Sequence, residues 1–92
     1  MKFGNRIKRV TRINPAALRI GLEFTDGVHA TVDLRFIFQN PRGRPLVLEI
    51  LRGQLFDKCF VESGALAWPN GYELCPDALR GWISEQKKGP AA

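Results

Sequence analysis

The chain has 92 residues, 45% of them hydrophobic, with 14 Lys or Arg against 9 Asp or Glu and a net charge of +5. That size supports a single domain over residues 1–92 with one core and no need of staples, its ordered part about 5–88 and a disordered tail at 89–92. No stretch approaches a membrane span, and the basic N-terminus lacks the apolar run of a signal peptide, so a bacterial-style cytoplasmic protein without membrane contact is expected.

Cys59 and Cys75 are the two cysteines, 16 residues apart with no Cys-x-x-Cys pattern. They read as reduced, mostly buried thiols. Charge is uneven. Residues 1–48 hold nine basic residues against three acidic ones, a net +6, while residues 49–92 sum to −1. A basic half can attract nucleic acid or an acidic partner.

Ile7 to Ile13 reads as a strand of mixed parity, with Ile7 and Ile13 on one face and Val10 on the other. A bulge or an edge position would reconcile this. Asn14-Pro15-Ala16-Ala17 is a connector. Leu18 to Leu34 is the clearest element, a hairpin. A two-residue Asp26-Gly27 loop would mix apolar with polar on each face. A three-residue Thr25-Asp26-Gly27 loop pairs Phe24 with Val28, Leu22 with Ala30, Ile20 with Val32 and Leu18 with Leu34. All eight then point one way, and Gly27 supplies the positive φ of a bulge. Arg19, Gly21, Glu23, His29, Thr31 and Asp33 face solvent or a second layer.

Leu34 to Phe38 is a short apolar run of undetermined type, and Gln39 to Pro45 is a loop. Leu46 to Leu51 is compatible with helix or strand. Pro45 and the spacing of Leu48, Leu51 and Leu55 favour a short helix ending at Gly53. A second hairpin turns at Ser63-Gly64 and pairs Val61 with Leu66 and Cys59 with Trp68. Trp68 to Gly71 is a turn, and Tyr72 to Leu74 a short strand. The C-terminal helix has Pro76 at N1, Asp77 at its positive end and a Leu79, Trp82, Ile83 stripe, and it stops at Gly89-Pro90. The fold class is α+β: a small antiparallel sheet built from two hairpins, with the 76–88 helix packed on it.

Catalytic chemistry finds little support. His29, the single histidine, falls on an outer strand face with no nucleophile placed beside it. The spacing of His29, the cysteines and the carboxylates matches no zinc pattern. Arg42-Gly43-Arg44 lacks the glycines and the Lys-Ser/Thr of a phosphate loop. No enzyme activity, cofactor or metal is expected. Lys8, Arg9 and Arg12, with Arg42 and Arg44, could form a phosphate-binding patch, though no aromatics interleave with them and a solvated basic edge that blocks strand-to-strand aggregation is the default reading. Arg42, Arg44, Trp68 and Tyr72 are candidate contacts for a protein partner. The aromatics among them default to core unless exposed.

Phe24-Thr25-Asp26-Gly27, Val32-Asp33-Leu34, Trp68-Pro69-Asn70-Gly71, Leu74, Pro76-Asp77 and Leu79 together resemble the small bacterial family called domain of unknown function 2442. The resemblance spans roughly Ile7 to Trp82. Arg80 and Glu73 depart from the Tyr and Asp common there. The resemblance implies an α+β module that stands alone or precedes a helix-turn-helix domain in longer members, for which this chain ends too soon. It carries no catalytic residues. Its gene pairing implies an antitoxin-like or regulatory member of a two-gene pair. The expected function is a non-enzymatic protein-interaction module, binding a small protein partner or a second copy, with nonspecific nucleic-acid binding through the basic face as the alternative.

Overall fold

A computed structural model describes residues 6–88. The tail expected at 89–92 lies outside the described residues. The chain runs β1 (Ile7–Asn14), β2 (Arg19–Phe24), β3 (His29–Asp33), α1 (Arg35–Phe38), α2 (Pro45–Arg52), a 3₁₀ turn (Phe56–Lys58), β4 (Phe60–Glu62), β5 (Ala65–Ala67), β6 (Glu73–Leu74) and α3 (Pro76–Lys88). The α+β class and both hairpins are present. Each hairpin gains a third strand, giving two antiparallel three-stranded sheets ordered β1-β2-β3 and β4-β5-β6.

The first hairpin has the register that its apolar pattern demands. Leu22 pairs with Ala30 and Ile20 with Val32. Phe24 N–H donates to Val28 O at 2.8 Å and Gly27 N–H to Phe24 O at 2.9 Å, while Gly27 sits at φ 91°. This is the three-residue loop closed by a positive-φ glycine. Ile20, Leu22, Phe24, Val32 and Leu34 share one face and are buried.

β1 resolves its parity by bulging twice. Ile7, Val10 and Ile13 lie opposite Phe24, Leu22 and Ile20, with register shifts between Ile7 and Arg9 and between Val10 and Arg12. Residues spaced by three thus meet partners spaced by two, and all three turn toward the core. Gly21 is where β1 crowds closest. A Cβ there would lie 2.7 Å from the Thr11 hydroxyl oxygen.

The second hairpin turns on Ser63 and Gly64, both at positive φ, and pairs Val61 with Leu66. Its tip is stitched to the first sheet, where Ile7 N–H donates to Gly64 O at 2.9 Å. The Pro69-Asn70-Gly71 loop repeats the geometry of the first hairpin: Trp68 N–H donates to Tyr72 O at 2.9 Å and Gly71 has φ 93°.

The segment after Pro45 is a helix, but its buried face differs from the expected one. Val47 and Ile50 are buried, while Leu48, Leu51 and Leu55 are half-buried. Val47 and Ile50, spaced i, i+3, face the core directly, and Leu51 and Leu55 pack against its margin. The helix ends at Gly53, as expected. Gly53 is right-handed and Gln54 takes the left-handed position at φ 55°. Leu55 N–H reaches Ile50 O at 2.8 Å and Gln54 N–H reaches Leu51 O at 3.2 Å, the paired bonds of a Schellman cap.

Leu79 and Ile83 of α3 enter the core, and Trp82 flanks it. α3 is pinned to the first hairpin at two points. Arg80 reaches Asp26 at 3.0 Å with its guanidinium 4.8 Å from the Phe24 ring centroid. Farther along, the Gln86 side-chain amide grips the main chain of Asp33.

Candidate functional site

Trp68, expected as a partner contact, is instead a core residue at 1% exposure. Its indole N–H donates to Phe56 O at 3.0 Å. Its ring packs with Phe38, Phe56 and Tyr72 at centroid distances of 5.6, 6.2 and 5.7 Å. Turn-flanking aromatics end inside because the loop at Pro69 to Gly71 folds back over α2. Asn70 Nδ2 donates to Leu46 O at 2.9 Å and to Glu49 Oε1 at 3.1 Å.

Of the other contact candidates, Arg42 and Arg44 lie exposed on the loop and Tyr72 is half-buried. Arg44 donates to Asn40 O at 2.9 Å. Burial pushes the Tyr72 hydroxyl above its ordinary pKa, with the charge of Arg44 opposing.

The basic residues divide into two groups. Lys8 and Arg9 flank Glu23 at 3.9 and 2.9 Å, and His29 Nε2 stands 3.7 Å from the same carboxylate. Arg12 is exposed opposite Gly21. These three cations share the outer side of the first sheet, whereas Arg42 and Arg44 belong to the α1–α2 loop.

An open concavity lies elsewhere, at the end of β3. It is an open groove of about 820 Å³ lined by Arg19, Asp33, Arg35, Phe36, Glu85 and Gln86, among others. Asp33 organises it. Its Oδ1 accepts from Arg35 N–H at 3.0 Å, so the strand's last residue starts α1. Arg35 returns a forked contact, with Nη2 to Oδ2 at 2.8 Å and Nε to both oxygens at 3.0 and 3.1 Å. Arg19 Nε stands 3.6 Å from the same carboxylate. The Arg35 hydrogen bonds hold the Asp33 carboxyl below the usual carboxylate range against the opposing effect of burial, and the carboxylate in turn raises Arg35.

Phe36 forms the apolar wall. It is 47% exposed and meets Trp82 edge-on at 5.0 Å between centroids. The single turn of α1 explains this: Ile37 and Phe38 point inward, so Phe36 must point out. The undetermined run at 34–38 gave no sign of which side chain would be left outside. Gln86 gave none either, being one polar residue on a polar helix end.

A smaller pocket of about 210 Å³ adjoins the groove, lined by His29, Ala30, Thr31, Ile83 and Gln86. Thr31 and Gln86 border both, so the two form one trough along β3 with Gln86 across it.

Elsewhere, burial raises the Cys59 thiol to about 11, which keeps it protonated near neutral pH, and Cys75 is exposed. Among the described residues no group of three or more His, Cys, Asp or Glu could hold a metal ion, and no helix is long and apolar enough to cross a membrane. No family model, curated protein or solved structure matches this chain.

Proposed function

We propose that this protein is a non-enzymatic interaction module of the bacterial cytoplasm that binds a small protein partner through the groove beside β3. The observation that carries the reading is Phe36, a half-exposed aromatic ring on the wall of an open groove. It is backed by Trp82 and stands beside Arg35. Aromatic and arginine side chains together are the composition that dominates binding energy at protein interfaces. An isolated surface Phe would need no explanation, but one that lines a concavity together with Arg19 and Arg35 is placed to be covered. The resemblance to domain of unknown function 2442 supports an antitoxin-like or regulatory role within a two-gene pair.

The test is cross-linking of the full chain in host extract followed by mass spectrometry, with the Phe36→Ser variant as comparison. A stoichiometric protein partner with cross-links at the groove, lost in Phe36→Ser, is expected. A partner unaffected by that change, or no partner, overturns the reading.

A second reading is nonspecific nucleic-acid binding. The exposed Lys8, Arg9 and Arg12 on one side of the first sheet favour it. Three phosphate contacts would give a log–log salt slope of roughly −3. A flat salt dependence removes this reading.

A further inference from the structure

β3 is an outer strand of its sheet, opposite β1. The bonded pairs with β2 fall on its even-numbered residues, since Phe24 N–H meets Val28 O and Leu34 N–H meets Leu18 O. The N–H and C=O groups of His29, Thr31 and Asp33 therefore point away from β2, toward the trough. Asp33 is satisfied there by a side chain. Gln86 Oε1 accepts from Asp33 N–H at 2.9 Å, and Gln86 Nε2 donates to Asp33 O at 2.9 Å. A primary amide that both accepts from and donates to one residue's main chain does what a peptide group of a neighbouring strand would do. The fold thus already places one amide at this edge and leaves His29 and Thr31 open beside it. Both are exposed and both line the smaller pocket.

We infer that the trough takes an extended acidic peptide of a protein partner, which adds as a strand to β3 by pairing with the main chain of His29 and Thr31 and ends against Gln86. This rests on the interaction-module reading and names its partner class. Backbone pairing supplies affinity and alternate side chains supply choice. Residues of the added strand that point inward meet Ile83 and Ala30, which favours apolar side chains. Residues that point outward meet the side of the sheet carrying His29 and Arg19. Arg19 and Arg35 are balanced at the groove by Asp33 and Glu85, but Lys8, Arg9 and Arg12 outnumber Glu23 on the same outer side of the sheet, which leaves positive charge over. Acidic residues suit that side, in a chain with net charge +5.

The probe is a phage-displayed library of random linear peptides, selected on the full chain, with the winners synthesised and titrated. Strand addition predicts winners that alternate apolar and acidic residues. Methylating the backbone nitrogen at alternate winner positions weakens binding by roughly tenfold or more, and at intervening positions leaves it unchanged. The amides of His29 and Thr31 become slow to exchange in the complex. Thr31→Pro deletes an edge N–H that faces the trough, a substitution edge strands accommodate, and abolishes binding. The methylation series uses the unmodified chain, so it decides the matter even if Thr31→Pro fails to fold. Uniform tolerance of methylation, or no selected peptide, overturns the inference. So does a self-associated chain that Thr31→Pro returns to monomer, because the occupant would then be a second copy. A host partner that depends on Phe36 yet binds Thr31→Pro normally overturns strand addition and leaves the module reading standing. Loss of the host partner as well removes both.

Discussion

Replacing Trp68 with Phe separates a structural role from a contact role. The substitution deletes the indole N–H that serves Phe56 O in a buried bond of 3.0 Å. A buried carbonyl left without its donor costs about 1–2 kcal/mol. It also removes ring volume from a cluster whose other members, Phe38, Phe56 and Tyr72, stand at 5.6–6.2 Å from the Trp68 centroid and come from three separate segments. The resulting void costs about another 1–2 kcal/mol. The sum is near 3 kcal/mol, a large part of the roughly 5–10 kcal/mol expected of a domain this size. It corresponds to a fall in Tm of roughly 15 °C. Thermal and urea denaturation by circular dichroism measure it directly, and binding of any partner below the new Tm stays unchanged. An unaltered Tm accompanied by lost binding would refute the placement of Trp68 in the core.

Four further outcomes follow from the same geometry. Gln54→Gly relieves the left-handed residue after α2 and raises stability by about 1 kcal/mol in urea titration; a loss would mean the cap is not strained. Gly81→Ala adds a Cβ on exposed α3 that meets nothing within 4 Å, so it raises stability by about 1 kcal/mol, and a drop would show a hidden contact. The Asp33 carboxyl titrates below its unfolded value of about 3.9, so its contribution is complete above that pH and lost as pH falls through the folded value. The gap in urea midpoint between the parent chain and Asp33→Asn therefore closes on acidification, and a constant gap contradicts the Arg35 pairing. Iodoacetamide at neutral pH modifies exposed Cys75 well before Cys59, whose thiol is pushed up to about 11, and peptide mass spectrometry reads the order.

The sequence by itself determined what depends on chain neighbours. The Leu18–Leu34 hairpin was legible down to register, because only one loop length puts all eight apolar residues on one face and a glycine stands where that loop needs it. The turn at Ser63-Gly64 and the span of the 76–88 helix were legible for the same local reasons. Tertiary structure decided what depends on where segments meet. Nothing around Trp68 in the chain says that Phe38 and Phe56 will close over it, so only the tertiary structure decided between its default core reading and a partner contact. The spacing of Ile7, Val10 and Ile13 fits no regular strand, and two bulges resolve it only because β2 fixes the partners. The basic residues looked like one patch along the chain, but Arg44 went to Asn40 in its own loop while Lys8 and Arg9 went to Glu23. The candidate groove was invisible beforehand because its organising contacts, Asp33 with Gln86 and Phe36 with Trp82, join residues about fifty positions apart. Side-chain periodicity reports which residues face inward on one element, and carries no record of which element lies opposite.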